Sequence, residues 1–534
     1  MRLGRSTGMG KGHETEADRN QGKDRKLLNS LDQTEDAYVE EAAYTGQEEA
    51  RLTEHRSVAA TGQSSGGRKQ EENDQTGNTP SGKKVSKSVK KPLYRRASFR
   101  VAVAAALVLA ILAGYLLGQG RMRAYAAYAI AEAQYPKMAQ YPGRKPWAYD
   151  SWWEDRRAQM DQPEGYRDGT DAFYRKSIQE FLLGAEGENV VYSPLNLYLA
   201  LGMMAEITDG NSREQILEVL GVEDIETLRM KASALWNANY CDDGAVTSIL
   251  ASSLWLNQDV DFRQETLQRL AETYYASSFA GEMGSKKYTQ ALQEWVNVQT
   301  GELLKDAAFD TQMDSETVMK LIATIYYRAK WSDEFSKGNT ENGTFYAADG
   351  TETCSFMHQT MDQTYYWGEK FSAVNKSLRE SGRMWFLLPD EGVSVDELIQ
   401  DEETMNFLFS MDNWENSKYL EVRLQVPKFD ISSQFDLTGD LQRMGITEVF
   451  DSAVADYSPL TTDVEEIALS SATHTARVII DEEGCIAAAY TQMQYSGSAA
   501  PPDETVDFIL DRPLLFMITG SDGTPLFIGV VNHP

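Results

Sequence analysis

Cysteine and histidine are scarce in this chain, and their spacing excludes several common kinds of site. Cys241, Cys354 and Cys485 form no C-x-x-C pair, so the sequence predicts neither a structural zinc site nor a disulfide framework. The five histidines show no H-E-x-x-H spacing and no Cys/His cluster. We therefore expect no catalytic metal and no other cofactor.

Positive charge is also scarce, since 51 Lys and Arg residues stand against 81 Asp and Glu residues and the formal net charge is −30. A surface of this sign repels a phosphate backbone, so nucleic acid is excluded as a partner. Acidic residues this numerous usually lie on a solvated surface, and no catalytic pair can be chosen among them.

The serine pattern GQSSG (62–66) lacks the strand and helix of a nucleophile elbow, so we expect no enzyme activity.

The start of the chain lacks the clustered apolar residues that a folded core needs. Residues 1–82 are rich in small, polar and charged residues, which predicts a disordered tail on the cytoplasmic side. Within the tail, apolar residues of 27–43 recur at roughly helical spacing. This segment is either a short helix that binds a cytoplasmic partner or a transiently helical piece of the tail.

Acidic residues are absent from 81–100, and residues 101–120 carry no charge of either sign. At about 1.5 Å per residue, such a helix spans roughly 30 Å of hydrocarbon. We predict a basic juxtamembrane block at 83–100 and a single transmembrane helix at 101–120. The positive-inside rule then places the N-terminus in the cytoplasm and the remainder outside the cell. A cleaved signal peptide would need a far shorter charged leader, and a buried soluble helix would leave the basic block unexplained.

Residues 121–164 are rich in Tyr, Trp and Pro and repeat the tripeptide QYP at 134–136 and 140–142. Because proline fixes φ and removes a backbone donor, this composition predicts an extended stalk. Residues 165–534 then form the folded domain, in which helical patterns and strand-like runs are mixed without an obvious internal break. This mixture indicates the α+β fold class.

Three local patterns locate elements of this domain. Ser193 followed by Pro194 and an apolar run predicts a helix with a serine N-cap and proline in its first turn. Apolar runs at 513–518 and 525–531 flank a Gly-rich turn, which predicts a hairpin buried on both faces. Residues 481–502 connect the strand-like runs 474–480 and 506–510, and connections of this length are usually functional or disordered.

The domain also resembles the serpin family over nearly all of residues 165–534. The motifs that carry the resemblance occur in the family's order: NVVYSP (189–194), GNSREQIL (210–217), IYYRAKW (325–331), LLPDEG (387–392), VPKF (426–429), LQRMGI (441–446), HTARVIIDEEG (474–484), DRP (511–513) and PLFIGVVN (525–532). The resemblance implies a fold of three β-sheets with about nine helices. It also implies that 481–502 contains an exposed reactive-centre loop.

In serpins this loop is offered to a protease as a substrate and, once cut, inserts as an extra strand into the central sheet. After its glycine the family usually has a hydroxyl or small β-branched residue and then an acid, where this chain has Cys485 and Ile486. Cys485 is either a small buried residue or a redox-sensitive thiol. The hinge implied by the resemblance comprises Glu483, Gly484, Cys485, Ile486, Ala487, Ala488 and Ala489.

Strand geometry indicates that this loop can insert, because successive side chains point to opposite faces. If Cys485 points to the core, the residues that follow it on that face are small or apolar: Ala487, Ala489, Thr491, Met493 and Tyr495. About ten new ladder hydrogen bonds at roughly 1 kcal/mol each would release on the order of 10 kcal/mol. That energy is sufficient to distort a trapped protease.

Family spacing places the cleaved bond at Ser498–Ala499, with Ser498 as the bait and not as a catalyst. The bonds 495–496, 497–498 and 499–500 stay open as alternatives. Small residues at the bond favour an elastase-like or subtilisin-like serine protease, whereas Tyr495 would suit a chymotrypsin-like one.

The resemblance implies two supporting clusters. In the shutter beneath the opening sheet, Ser193 and His474 match the family, Asn196 replaces the usual second serine, and Ala323 replaces the usual asparagine. Because buried polar groups need partners, we hypothesise that the Asn196 amide supplies the lost hydrogen bond to His474. Trp331 resembles the aromatic residue of the breach, at the top of the sheet where the loop first enters.

Together these patterns predict a membrane-anchored, bacterial-type serpin that acts at the cell surface as a suicide inhibitor of serine or cysteine proteases. Two alternatives stay open. The chain is a non-inhibitory binding or structural module if the Cys485–Ile486 hinge blocks insertion. It is a membrane signalling protein if its cytoplasmic tail senses cleavage of the outer domain.

Overall fold

A computed structural model describes residues 123–534 of the chain except 144, 186, 305–312, 465, 470–471, 486–501 and 503. The predicted tail, basic block and transmembrane segment lie outside the described residues. The later hinge residues 486–489 and the bond Ser498–Ala499 lie outside them as well. No helix in the described part of the chain is long and apolar enough to span a membrane.

The described residues form ten α-helices, close to the nine that the resemblance implies. They are α1 (Tyr149–Met160), α2 (Thr170–Leu182), α3 (Pro194–Ile207), α4 (Gly210–Leu220), α5 (Ile225–Asn239), α6 (Gln264–Thr273), α7 (Lys286–Gln299), α8 (Val395–Gln400), α9 (Glu402–Ser410) and α10 (Thr438–Met444).

Seventeen strands accompany these helices in the described residues. They are β1 (Ala129–Ala131), β2 (Val190–Tyr192), β3 (Cys241–Asp242), β4 (Thr247–Asn257), β5 (Ala276–Gly281), β6 (Met319–Lys330), β7 (Thr340–Ala347), β8 (Gly350–Trp367), β9 (Phe371–Ser377), β10 (Arg383–Pro389), β11 (Ser417–Pro427), β12 (Phe429–Asp436), β13 (Ala472–Ile480), β14 (Gly484–Cys485), β15 (Thr505–Ile509), β16 (Leu514–Thr519) and β17 (Pro525–Val531).

The strands form two hydrogen-bonded sheets and not the three that the resemblance implies. The central sheet has the order β1-β5-β4-β6-β14-β13-β12, with β3 beside β4, and the second has the order β15-β11-β8-β9-β10-β16-β17-β2, with β7 beside β8. The difference arises at β8, an 18-residue strand that pairs with β7 and β11 and then, through Tyr366 and Trp367, with β9. This one long strand joins what would otherwise be two sheets.

The core lies between the two sheets around α3. Every residue of α3 is buried, as expected for a helix that is apolar on all sides, and α3 contacts both β6 and β17. The predicted cap of this helix is confirmed, because the Ser193 side chain accepts a hydrogen bond from the Asn196 backbone and Pro194 begins the helix. The predicted hairpin is confirmed as the antiparallel pair β16 and β17, both fully buried.

Residues 123–164, which we call the N-terminal arm, differ from the extended stalk that their composition predicts. β1 pairs antiparallel with β5 at the edge of the central sheet. Trp152 in α1 is 1% exposed, and its Nε1 donates to Asp243 Oδ2 at 3.2 Å. The prolines do interrupt the arm, but the aromatic residues between them bury apolar surface on the domain, which offsets the entropy lost on ordering.

The helix α1 of the arm contacts both sheets. Beyond Trp152 and its bond to Asp243 beside β3, the Tyr149 hydroxyl donates to Glu380 Oε1 at 3.0 Å. Arg156 Nη2 donates to the Glu380 backbone carbonyl at 3.2 Å, in the turn between β9 and β10. The arm is therefore a part of the folded domain.

We predict that Trp152→Ala lowers the free energy of unfolding by about 3 kcal/mol, because it leaves a cavity under α1 and removes the hydrogen bond to Asp243 Oδ2. The measurement is urea denaturation of the purified chain. Trp147→Ala is the matched control, since Trp147 lies in the same arm but is 80% exposed, and it should change stability by less than about 0.5 kcal/mol. Equal effects of the two substitutions would show that the arm does not contribute to folding.

Candidate functional site

The site lies where β6, β13 and β14 meet. β6 and β13 are parallel and pair directly through residues 321–324 and 472–475. Further along, β14 lies between them, with Cys485 opposite Ala329 on one side and opposite Ile480 on the other, antiparallel to both strands. Gly484 and Cys485 therefore occupy the position of a strand between β6 and β13.

A tight turn delivers the chain to this position. Asp481 N donates to the Gly484 carbonyl at 3.0 Å, and Asp481 Oδ1 accepts from the backbone amides of Glu483 at 2.9 Å and Gly484 at 3.2 Å. Gly484 has φ +151°, and a Cβ there would collide with the Ala329 carbonyl and the Lys330 backbone. Only glycine fits this close approach of the hinge to β6.

Trp331, the predicted breach residue, is buried beside this turn. Its backbone amide donates to the Glu483 carbonyl at 3.0 Å, and its indole Nε1 donates to the Asp481 carbonyl at 2.9 Å. The backbone amide of Phe335 donates to the Glu482 carbonyl at 2.9 Å. Trp331 and Phe335, which follow β6, therefore hydrogen bond to the carbonyls of three consecutive turn residues, 481–483.

The two glutamates of the turn, Glu482 and Glu483, have cationic partners that the sequence analysis missed. Glu482 accepts from Lys428 Nζ at 2.9 Å and from Thr340 Oγ1 at 2.8 Å. Burial raises the pKa of Glu482, but these hydrogen bonds outweigh it and the pKa lies below its ordinary value. A hydrogen bond from Lys337, at 2.6 Å, likewise lowers the pKa of Glu483. Both glutamates and Lys428 belong to the quoted motifs, yet no local pattern shows which residues pair across the fold.

The shutter residues come together, but without the hydrogen bond that we hypothesised. The Ser193 backbone amide donates to His474 Nε2 at 3.0 Å, whereas the buried Asn196 side-chain amide and His474 Nδ1 have no hydrogen-bond partner among the described residues. His474 already uses Nε2 for the Ser193 amide, and Ala323, its neighbour on β6, has no polar side chain to offer. The compensation hypothesis for Asn196 is therefore wrong for this conformation.

Cys485 is 2% exposed and shares the core face of the sheet with its partner Ile480. Burial raises the pKa of the Cys485 thiol to about 12, so the reactive thiolate does not form near neutral pH. The geometry favours the small buried residue over the redox-sensitive thiol. Cys485 also points to the core, which is the condition under which alternate loop residues from Ala487 to Tyr495 are predicted to face inward in an inserted strand.

No group of His, Cys, Asp or Glu side chains in the described ranges is arranged to hold a metal ion. The site instead consists of a half-occupied gap between two strands, a glycine turn held by backbone hydrogen bonds, and a buried polar cluster below it. Such an arrangement offers a place for an added strand.

This architecture is that of a defined family. A family model described as "Serpin (serine protease inhibitor)" matches residues 169–534, and the chain belongs to the serpin family.

Among curated relatives, the leukocyte elastase inhibitor of Homo sapiens is 28% identical over 358 residues, which cover 65% of this chain and 93% of that protein. Neuroserpin of Rattus norvegicus is 28% identical over 375 residues, which cover 65% of this chain and 87% of that protein. The solved native structure of the thermophilic serpin tengpin has a TM-score of 0.62 at 24% identity, covering 70% of this chain and 95% of that one.

We predict that His474 makes stability depend on pH. His474 is 1% exposed, and burial lowers its pKa to about 4 from the ordinary 6.5. The unfolded chain binds this proton more readily than the folded chain does. The contribution of His474 to the free energy of unfolding is therefore complete above pH 6.5 and is lost as the pH falls towards 4. The loss amounts to at most roughly 3 kcal/mol.

The measurement is the free energy of unfolding between neutral pH and about pH 4 for the unmodified chain and for His474→Gln. The variant should show a shallower slope, while His358→Gln, at a half-buried position of β8, should keep the original slope. A slope that His474→Gln leaves unchanged would exclude His474 as the titrating group.

Proposed function

We propose that the chain is a suicide inhibitor of serine proteases whose loop, once cut, inserts between β6 and β13. The observation that carries this proposal is β14, which is already hydrogen bonded to both strands. The family description supports it, because it names serine protease inhibition. The loop is consumed in the process, so the chain has no turnover and is not an enzyme.

In the proposed mechanism, the pairing of β14 would set the register of the inserted strand. Continued past Cys485, the ladder would place Ala489 between Ile325 of β6 and Ala476 of β13. Each further rung adds hydrogen bonds to both neighbours, and about ten of them at roughly 1 kcal/mol each would release on the order of 10 kcal/mol. The direct pairing of 321–324 with 472–475 must open for this to happen.

The proposed target is a serine protease whose pocket accepts small side chains. The proposed bond Ser498–Ala499 lies in a stretch of Gly, Ser and Ala, which suits an elastase-like or subtilisin-like enzyme. The name of the human relative, leukocyte elastase inhibitor, supports the first of these. Cysteine proteases are a further target class of the same mechanism.

We further propose that the inhibitor is anchored in the cell membrane, as a bacterial-type serpin with its serpin domain outside the cell. The basic block at 83–100 followed by the uncharged residues 101–120 supports this location. The segment 27–43 is the proposed contact for a cytoplasmic partner. The anchor is testable by alkaline extraction of membranes from cells that express the chain.

We predict that the chain forms an SDS-stable complex with pancreatic elastase, and that cleavage within 490–502 raises the midpoint of thermal unfolding. Ala487→Arg should abolish the complex and turn the chain into a substrate, because it buries a charge on the inward face. Ala488→Arg is the matched control, since its side chain faces outward in the same strand, and it should still inhibit. A loop that is cut without complex or gain in stability would favour the non-inhibitory alternative.

We predict a specific role for Thr491 in the cleaved form. The register above places it between Ala323 and His474, where its hydroxyl can reach the partnerless His474 Nδ1 or Asn196 amide. Thr491→Val should lower the free energy of unfolding of the cleaved form by about 1 kcal/mol and leave the intact form unchanged.

Thr491→Ser keeps the hydroxyl and is the control. Guanidinium denaturation of intact and cleaved protein provides the measurement, repeated in an Asn196→Ala background to test for coupling. An equal effect of Thr491→Val on both forms would contradict the proposed register.

A further inference from the structure

Lys376, near the end of β9, is a cation buried beneath the breach. It is 2% exposed, and its Nζ lies 4.4 Å from the centre of the Phe335 ring and 5.6 Å from that of Trp331. Nζ donates a hydrogen bond to Gln359 Oε1, and Gln359 Nε2 in turn donates to Asp333 Oδ2. In the described part of the chain, no carboxylate lies within ion-pair distance of this ammonium.

The stability of the fold does not explain a lysine at this position. The chain has 81 acidic residues, yet this ammonium is partnered by an amide and two aromatic rings. Burial lowers the pKa of Lys376 to about 8, with Asp333 acting in the opposite direction. Methionine has a similar length and would avoid the cost of burying the charge.

The two rings beside Lys376 belong to the residues that hold the turn before Gly484. The backbone amides of Trp331 and Phe335 donate to the carbonyls of Glu483 and Glu482. Lys376 therefore contacts the side chains of the same two residues whose backbones fix the start of β14. A displacement of either ring would be passed to the turn through its hydrogen bonds.

We propose that Lys376 is a positioning residue for loop insertion, whose ammonium holds the rings of Trp331 and Phe335 so that the turn delivers Gly484 in register between β6 and β13. This inference rests on the proposed inhibitory function. Inhibition is a competition between insertion of the cut loop and release of the protease. A turn held in register favours insertion. If the turn is not held in register, a larger fraction of the inhibitor is cut without trapping the protease.

Most of the other charged groups around the breach are paired with one another. Glu334, after β6, lies 3.6 Å from Lys330 Nζ and 3.5 Å from Arg379 Nη2 in the turn after β9. The turn carboxylates Glu482 and Glu483 have their own lysine partners. Asp333 faces Lys376 through Gln359 of β8. Carboxylates do not titrate above neutral pH, so loss of the Lys376 proton is the change that weakens the ring contacts as the pH rises.

The test measures the stoichiometry of inhibition of pancreatic elastase by the full chain between about pH 7 and pH 9.5. We expect Lys376→Met to raise the stoichiometry about threefold at neutral pH, with little further change on raising the pH. For the unmodified chain, the stoichiometry of inhibition should rise above about pH 8 towards the value of the variant. Lys370→Met is the matched control, since Lys370 precedes the same strand but has a side chain that is 43% exposed and paired with Asp401.

Thermal unfolding of the intact variants separates positioning from a structural role. Lys376→Met should unfold at or above the temperature of the unmodified chain, because it removes a buried charge. An unchanged stoichiometry, or a rise matched by an equal loss of thermal stability, would overturn the role of Lys376. If the unmodified chain forms no SDS-stable complex, the proposed function fails first and this inference fails with it.

Discussion

The structure depends on an incomplete pairing between two parallel strands. β6 and β13 are hydrogen bonded at 321–324 and 472–475, but at the other end the two-residue strand β14 separates them. A strand needs about 4.8 Å on each side, so β14 sets the spacing that a longer strand would require. The energy that the proposed insertion would release therefore lies in the rungs that an added strand would form beyond Cys485.

Some of the costly buried groups of the domain lie along the same gap. Among the described residues, His474 Nδ1 and the Asn196 amide have no hydrogen-bond partner at its closed end, and Lys376 carries a charge into the core at its open end. Unsatisfied buried groups cost roughly 1–3 kcal/mol each. Under the proposed mechanism, an inserted strand would supply hydrogen bonds to such groups and so stabilise the cleaved form.

Local chemistry made part of the fold predictable from sequence, and contacts between distant segments set the rest. The Ser193 cap and the β16–β17 hairpin follow from neighbouring residues, so their patterns were sufficient. The N-terminal arm depends on Trp152 meeting Asp243, 91 residues away, and composition alone predicted a stalk. The two-sheet topology depends on the continuity of β8, and the Glu482–Lys428 pair on a contact across 54 residues. No periodicity encodes such partners.

The departure of the hinge from the family pattern has a physical explanation in the same gap. Cys485 lies between Ala329 and Ile480 on the core face, where a hydroxyl would need a partner and a thiol packs as a small apolar group. The next rung lies opposite Arg328 and Ile479, both half-buried. In an inserted strand, an isoleucine on that face would cover the Arg328 stem and Ile479 in place of the usual acid. The Cys485–Ile486 pair is therefore compatible with strand addition, because each residue matches the polarity of the face it would meet.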